Sequence, residues 1–372
     1  MISRLLEEVI KKRMGGGKAV VLIGARQTGK TTLLKALLKS TPHLFFNGDD
    51  PKDRSLLENA NTEELKLLLG NSKIVFIDEA QRIANIGLTL KIITDQFKEV
   101  QLLVSGSSAF ELSNHTNESL AGRKWEYTLY PICWEELENT IGYKEALKQL
   151  ESRLVYGFYP DVLNSPGDEA AVLKQLVSSV LYKDILAAGG IRKPEVLEKL
   201  VKALALQLGS EVSYNELALT VGVDKNTIST YISLLEQSFI IFRLGSFSRN
   251  LRNEIKNNRK IYFYDVGIRN AILGNFAPID LRQDKGGLWE NFLIAERLKQ
   301  NHYKGNLAQP YFWRTTEQQE IDYIEEANNT LSAFEFKWSK KAKGKVPVTF
   351  TKNYKAEVKI IDSENFREFV IL

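Results

Sequence analysis

Gly24-Ala25-Arg26-Gln27-Thr28-Gly29-Lys30-Thr31 places glycine, glycine, lysine and a hydroxyl residue at the fixed positions of a phosphate-binding loop. Each residue type has a chemical reason. The glycines let successive backbone N–H groups of Gly24, Ala25, Arg26, Gln27, Thr28 and Gly29 curl around phosphate oxygens where a side chain would collide. The helix that opens at Thr31 and Thr32 directs its positive end at the same anion. Lys30 is expected to reach the β- and γ-phosphates of ATP, and the Thr31 hydroxyl to ligate Mg²⁺. The apolar run Ile74-Val75-Phe76-Ile77 then delivers Asp78 and Glu79 to a strand end. Asp78 is expected on the metal, and Glu79 as the base that takes a proton from attacking water. A third run, Leu102-Leu103-Val104, leads into Ser105-Gly106-Ser107-Ser108. Ser107 is a candidate sensor of the γ-phosphate, and a plain small-residue turn is the other reading. Arg123 reads as an arginine finger, in cis or from a neighbouring subunit of a homo-oligomer, or as a surface arginine.

A second group of chemistry-bearing residues lies near the C-terminus. Ile321-Asp322-Tyr323-Ile324 and Phe334-Glu335-Phe336-Lys337 read as paired strands, with twelve residues between the two acids, enough for a hairpin. Period two puts Glu335 and Lys337 on one face. Asp322 and Glu335 are a candidate Mg²⁺ pair, with Lys337 orienting or activating water for attack on a phosphodiester; Gln319 stands just before the first strand. The acid-spacer-acid-x-lysine order resembles the restriction-endonuclease-like superfamily. That resemblance implies an extra acid from the first helix, which is Glu290 on a helix read as Leu288 to Gln300. A half-exposed hairpin is the plainer reading, and the fold is often kept without catalysis.

These residues need elements to hold them. Short continuous apolar runs in the first third suit strands buried on both faces of a parallel sheet. From about 170 to 240 the pattern is helical. Ser213 and Glu216 form a capping box, and Asp224 caps a second helix from Lys225 to about Gln237, giving a helix-turn-helix signature with Phe239-Ile240-Ile241-Phe242 as a wing strand. Ile228, Tyr231, Leu234 and Leu235 are expected inside; Lys225, Asn226, Ser229 and Thr230 face outward, toward DNA or toward nothing more than solvent. The reading is α/β in class, with a parallel-sheet nucleotide domain at 1–164, a helical winged-helix-like domain at 170–245 and a restriction-endonuclease-like α/β domain at 246–372.

Composition narrows the class. The 372 residues are 44% hydrophobic and 26% charged, as in an ordinary globular protein. No run approaches the ~18 apolar residues of a membrane span. Cys133 is the single cysteine and there are three histidines, which excludes an internal disulfide and leaves little for a zinc site. Met1 to Arg4 opens without a signal-like apolar block, so a cytoplasmic setting is expected. The net charge of +4 is mild, but positive residues gather from Arg249 to Lys260 and from Lys337 to Lys345.

The Gly24–Thr31 loop, Asp78-Glu79-Ala80-Gln81, Ser105–Phe110, Leu120–Arg123 leading to Tyr130-Pro131, and Arg153-Leu154-Val155-Tyr156-Gly157-Phe158-Tyr159-Pro160 together resemble bacterial and archaeal AAA-type ATPases that carry a C-terminal domain of unknown function. The resemblance spans nearly the whole chain and implies ATP binding. The function expected is an ATPase whose nucleotide state controls a C-terminal module directed at DNA or RNA. The alternative is a slow nucleotide-gated regulator that docks a protein partner.

Overall fold

The apolar runs become strands because each is too short and too uniformly apolar to leave a face in water. In the computed structural model, which describes residues 2–106, 120–178, 185, 193–248, 259–340 and 346–371, contacts divide the chain into two compact units. The first is built mainly from residues up to Pro131, the second from Ile132 onward.

The first unit holds β1 (Ala19–Ile23), β2 (Leu44–Asn47), β3 (Ile74–Asp78), β4 (Gln101–Gly106) and β5 (Lys124–Thr128). They form one sheet in the order β2-β3-β4-β1-β5, with every pair parallel. All five residues of β1 are buried, as the continuous run Ala19-Val20-Val21-Leu22-Ile23 requires. Parallel pairing sends every strand's C-terminal end to one edge of the sheet, where open α/β sheets place ligands. Helices such as Lys30–Leu37, Thr62–Leu69 and Ile86–Gln96 connect the strands. The start of Thr62–Leu69 is fixed by a capping box between Asn61 and Glu64.

Among the described residues the second unit is built on a seven-stranded mixed sheet. Its strands are β6 (Glu211–Val212), β7 (Ile241–Ser246), β8 (Arg259–Phe263), β9 (Gln309–Arg314), β10 (Glu320–Ala327), β11 (Thr330–Phe336) and β12 (Val358–Ile361), in the order β12-β11-β10-β9-β7-β8-β6. Strands read as belonging to two separate domains therefore share one hydrogen-bonded sheet. Of the run Phe239–Phe242 expected as a strand, only Ile241 and Phe242 lie in β7, which runs antiparallel to β8 and parallel to β9. The two helices expected here appear as Tyr214–Val221 and Lys225–Gln237, and Ser213 and Asp224 accept hydrogen bonds from the backbone N–H groups of Glu216 and Thr227. Ile228, Tyr231, Leu234 and Leu235 are buried, joined by Ile232.

The phrase Arg153–Pro160 lies inside this second unit, and its residue types now have a cause. Gly157 has φ 69, and a Cβ there would lie 2.0 Å from Asp265 Oδ1. Asp265 accepts from the Phe158 N–H at 2.7 Å and caps the helix Val266–Leu273 through the Ile268 N–H. Asn270 donates to the Leu154 and Val155 carbonyls. A long helix, Lys285–Lys304, buries Trp289 and Phe292 in an aromatic cluster with Phe158 and Phe366. Among the described residues no helix is long and apolar enough to cross a membrane.

Candidate functional site

β1 ends at Ile23 and the loop begins at once. Gly24 has φ 149, and a Cβ there would lie 2.3 Å from the Leu129 carbonyl oxygen, so only glycine fits this crossing. Gln27 and Gly29 also take positive φ, 60 and 93, which folds the loop back on itself before the helix starts at Lys30. Lys30 Nζ donates to the carbonyls of Gly24 at 2.9 Å and Ala25 at 2.8 Å. Thr31 Oγ1 lies 3.1 Å from Asp78 Oδ1, which also accepts from Ser105 Oγ. β4 stands between β1 and β3, so the loop strand and the acid-bearing strand are about 10 Å apart, at roughly 4.8 Å per step. Ser105, at the end of β4, fills the interval. Glu79 follows in a left-handed turn, φ 48, and accepts from Gln81. A hydroxyl and a carboxylate in contact are hard oxygen donors of the kind Mg²⁺ takes, so the residues present fit that ion.

Arg123 is not brought to this edge. The Ala19 N–H donates to the Arg123 carbonyl, and Lys124 pairs with Ala19, at the start of β1 rather than at its loop end. Five strand residues at about 3.3 Å each hold it some 16 Å from the phosphate loop. Its guanidinium is bonded to Asp95 at 2.6 Å. Ser107 lies outside the described residues.

In the second unit the structure brings the C-terminal acids together. Burial, followed by the charges of Glu290 and Glu335, pushes the Asp322 carboxyl well above its usual range, against the lowering effect of Lys260. Asp322 Oδ2 accepts from the Phe336 N–H at 2.7 Å, across the β10–β11 pairing. Glu335 Oε1 accepts from Lys337 Nζ at 2.6 Å, while Glu335 Oε2 is buried and meets no donor among the described residues. Glu290, on the helix Lys285–Lys304, accepts from Lys260 Nζ at 2.9 Å and from Tyr262 Oη. Gln319 is engaged by the Thr349 hydroxyl. Among the described residues no group of three or more His, Cys, Asp or Glu is placed to hold a metal ion. The Arg249–Lys260 cluster needs correction at its end: Lys260 is 1% exposed, inside β8, and adds nothing to a basic surface. Burial works against its charge, yet Glu290, Glu320 and Asp322 outweigh that and hold the ammonium above its ordinary pKa.

A family model described as an AAA domain matches residues 16–138, the stretch that carries the loop, Asp78 and Glu79. The comparisons support a P-loop ATPase. Two different domains of unknown function match residues 147–278 and 285–370. An uncharacterized protein of Mycobacterium tuberculosis is 28% identical over 336 residues, covering 88% of this chain and 72% of that protein. One of Methanocaldococcus jannaschii is 26% identical over 316 residues, covering 72% and 65%. In fold, the chain is similar to the Walker-type ATPase of Pyrococcus abyssi, with TM-score 0.51 and 15% identity over 73% of this chain and 96% of that one.

Four further residues matter to the two sites and escape a reading of motifs. Arg4 is buried and donates from Nη1 to the Thr28 carbonyl and from Nη2 to the Tyr130 carbonyl, both at 2.7 Å, bracing the phosphate loop from outside the motif. Ser105 donates from Oγ to Asp78. Gly48, just past β2, donates its N–H to the Asp78 carbonyl at 2.8 Å. Lys260 sits in a run that looks basic and exposed. The one sequence signal for it was period two: Ile261 and Phe263 flank Tyr262 in an apolar strand, and residues two apart share a face.

Proposed function

We propose that this chain hydrolyses ATP at the Gly24–Thr31 loop and that its nucleotide state governs a C-terminal module directed at nucleic acid. The first half rests on one observation, the 3.1 Å contact between Thr31 and Asp78 with Glu79 next in sequence. Backbone amides from Gly24 to Thr32 and the Lys30 ammonium would hold the phosphates. Lys30 would exchange its two loop carbonyls for phosphate oxygens. Thr31 and Asp78 would hold Mg²⁺, which when bound neutralises charge between the phosphate oxygens. Glu79 would orient the attacking water and accept its proton. The AAA match supports both binding and turnover.

The second half draws support from topology and from the acids. A helix (Pro194–Leu206), β6, the two helices of residues 214–237, and then β7 and β8, with β6 and β7 both paired to β8, is the order of a winged helix. Lys225, Asn226 and Thr230 are exposed on the second of those helices. Asp322, Glu335 and Lys337 share one neighbourhood, as a restriction-endonuclease-like site requires. A second reading, a regulator with a degenerate nuclease fold that docks a protein partner, is favoured by the absence of a three-acid metal group among the described residues.

Turnover measured with and without DNA or RNA, for wild type and Glu79→Gln, tests the proposal. A Glu79→Gln loss of 10²–10⁴-fold is expected, with nucleotide still bound, and nucleic acid should raise the wild-type rate. A rate indifferent to DNA and RNA favours the regulator. Incubation with Mn²⁺ and nucleic acid, beside an Asp322→Ala control, separates an active from a degenerate nuclease site.

A further inference from the structure

Carbonyls of the phosphate loop are held by side chains that come from two different places. Lys30 Nζ donates to those of Gly24 and Ala25, and Thr28 Oγ1 donates to that of Ala25 at 2.9 Å. Both of these donors belong to the loop. The Thr28 carbonyl is met from outside, by Arg4 Nη1 at 2.7 Å. Arg4 stands directly before the helix Leu5–Lys11, which is anchored by the fully buried Leu6 and Ile10, and is itself 7% exposed. Its Nη2 donates to the Tyr130 carbonyl, also at 2.7 Å, so acceptors on two separate stretches of chain fix the plane of the guanidinium. A Cβ on Gly29 would lie 3.8 Å from Nη1, which sets the cation against the back of the turn.

The Thr28 carbonyl and the Gly29 N–H are the two ends of one peptide unit, and in a trans peptide they point opposite ways. A cation bonded to the carbonyl end turns the N–H end away from itself and polarises it into a stronger donor. In a phosphate-binding loop that N–H faces the anion. We propose that Arg4 is a positioning residue for the nucleotide: it does not touch the phosphates, but orients and polarises the Thr28–Gly29 peptide that does. This rests on the nucleotide reading of the loop and adds a determinant of affinity that lies outside the motif. Lys30 must give up its two carbonyls when phosphates arrive. Arg4 makes no such exchange, so its hold is the same in the empty and the loaded loop.

The test is calorimetry of the full chain with Mg·ADP and with Mg·ATP, beside steady-state turnover. Loop amides grip phosphates that both nucleotides carry. Arg4→Met should therefore raise both dissociation constants by a similar factor, about ten- to hundredfold, the range for a hydrogen bond to a charged group. Its kcat at saturating ATP should stay within about threefold of wild type, because Thr31, Asp78 and Glu79 keep their places. Arg4→Lys keeps the charge but loses the planar fork, and should weaken both nucleotides by more than about threefold but less than Arg4→Met does. A role in stability alone would lower a denaturant midpoint and leave the dissociation constants of the folded protein as they were. The proposal is overturned if a folded Arg4→Met binds both nucleotides within about threefold of wild type, or if Arg4→Lys does so where Arg4→Met fails to fold. A fall in kcat with both dissociation constants unchanged overturns it as well. A wild type that binds neither nucleotide sinks the loop reading itself, whereas a binding wild type beside an unweakened variant sinks only this inference.

Discussion

Gly48→Ala is a substitution outside every motif that should stop turnover while sparing nucleotide binding. The added methyl would lie 2.2 Å from the Glu79 carbonyl oxygen, 2.9 Å from its carbonyl carbon and 3.1 Å from the Asp78 carbonyl oxygen. Ordinary contact begins at 3.4 Å, so the Glu79 carbonyl, and with it the Glu79–Ala80 peptide, must retreat by roughly 1 Å. Gly48 does not use a left-handed φ, so alanine meets no backbone penalty of its own. The strain falls on the segment that carries Asp78 and Glu79, the proposed metal ligand and base. A displacement of about 1 Å in catalytic groups costs on the order of 10²-fold, or about 2.7 kcal/mol in the barrier. The phosphate loop lies on another strand, two places away in the sheet. Steady-state ATPase assays should therefore show kcat about a hundredfold lower, and calorimetry a nucleotide Kd within about threefold of wild type. Overpacking should also cost about 1–3 kcal/mol of stability in a denaturant melt. A folded variant with kcat within threefold of wild type would refute the reasoning.

Three further outcomes follow from the geometry. Arg123→Ala should leave turnover within about threefold, since the guanidinium is spent on Asp95 at the far end of the sheet; a hundredfold loss would restore the finger. Gly157→Ala should destabilise the chain by roughly 2–6 kcal/mol, from a disfavoured φ plus the collision with Asp265, and a denaturant midpoint shift worth under 1 kcal/mol would contradict this. Although burial opposes its charge, Asp284 is held at about 2, below the ordinary 3.8, by hydrogen bonds from Arg282 and Arg269. A depressed folded-state pKa contributes stability that is present above 3.8 and fades as pH falls toward about 2. Acid unfolding should show that slope in wild type and a flatter one in Asp284→Asn; equal slopes would remove the assignment.

The nucleotide loop was legible because its chemistry constrains the backbone itself: glycine at 24 and 29, lysine at 30 and a hydroxyl at 31 leave few other readings. The pair of helices at 214–237 was legible from caps, since Ser213 and Asp224 satisfy N–H groups that any helix start exposes. The long helix was expected from Leu288 to Gln300 and runs from Lys285 to Lys304. What could not be read is what depends on contacts distant in sequence. Lys260 appears as one more positive charge in a basic run until Glu290 and Glu320 are folded against it. Arg4 belongs to an ordinary amphipathic start until Thr28 and Tyr130 arrive as acceptors. Arg123 stood in a family-like phrase, but the register of β5 on β1 sets it at the wrong end. The three-domain division failed to foresee that β7 would be hydrogen-bonded on both sides, because strand neighbours are chosen in space.

That shared sheet has a mechanical meaning. The helix Lys225–Gln237 leads into β7, and β9 and then β10, which carries Asp322, lie beside it at about 4.8 Å per step. Among the described residues, the helix and the acid-bearing strand are therefore tied through neighbouring strands of one hydrogen-bonded sheet, and a change in the pairing of β7 with β9 would be felt at Asp322.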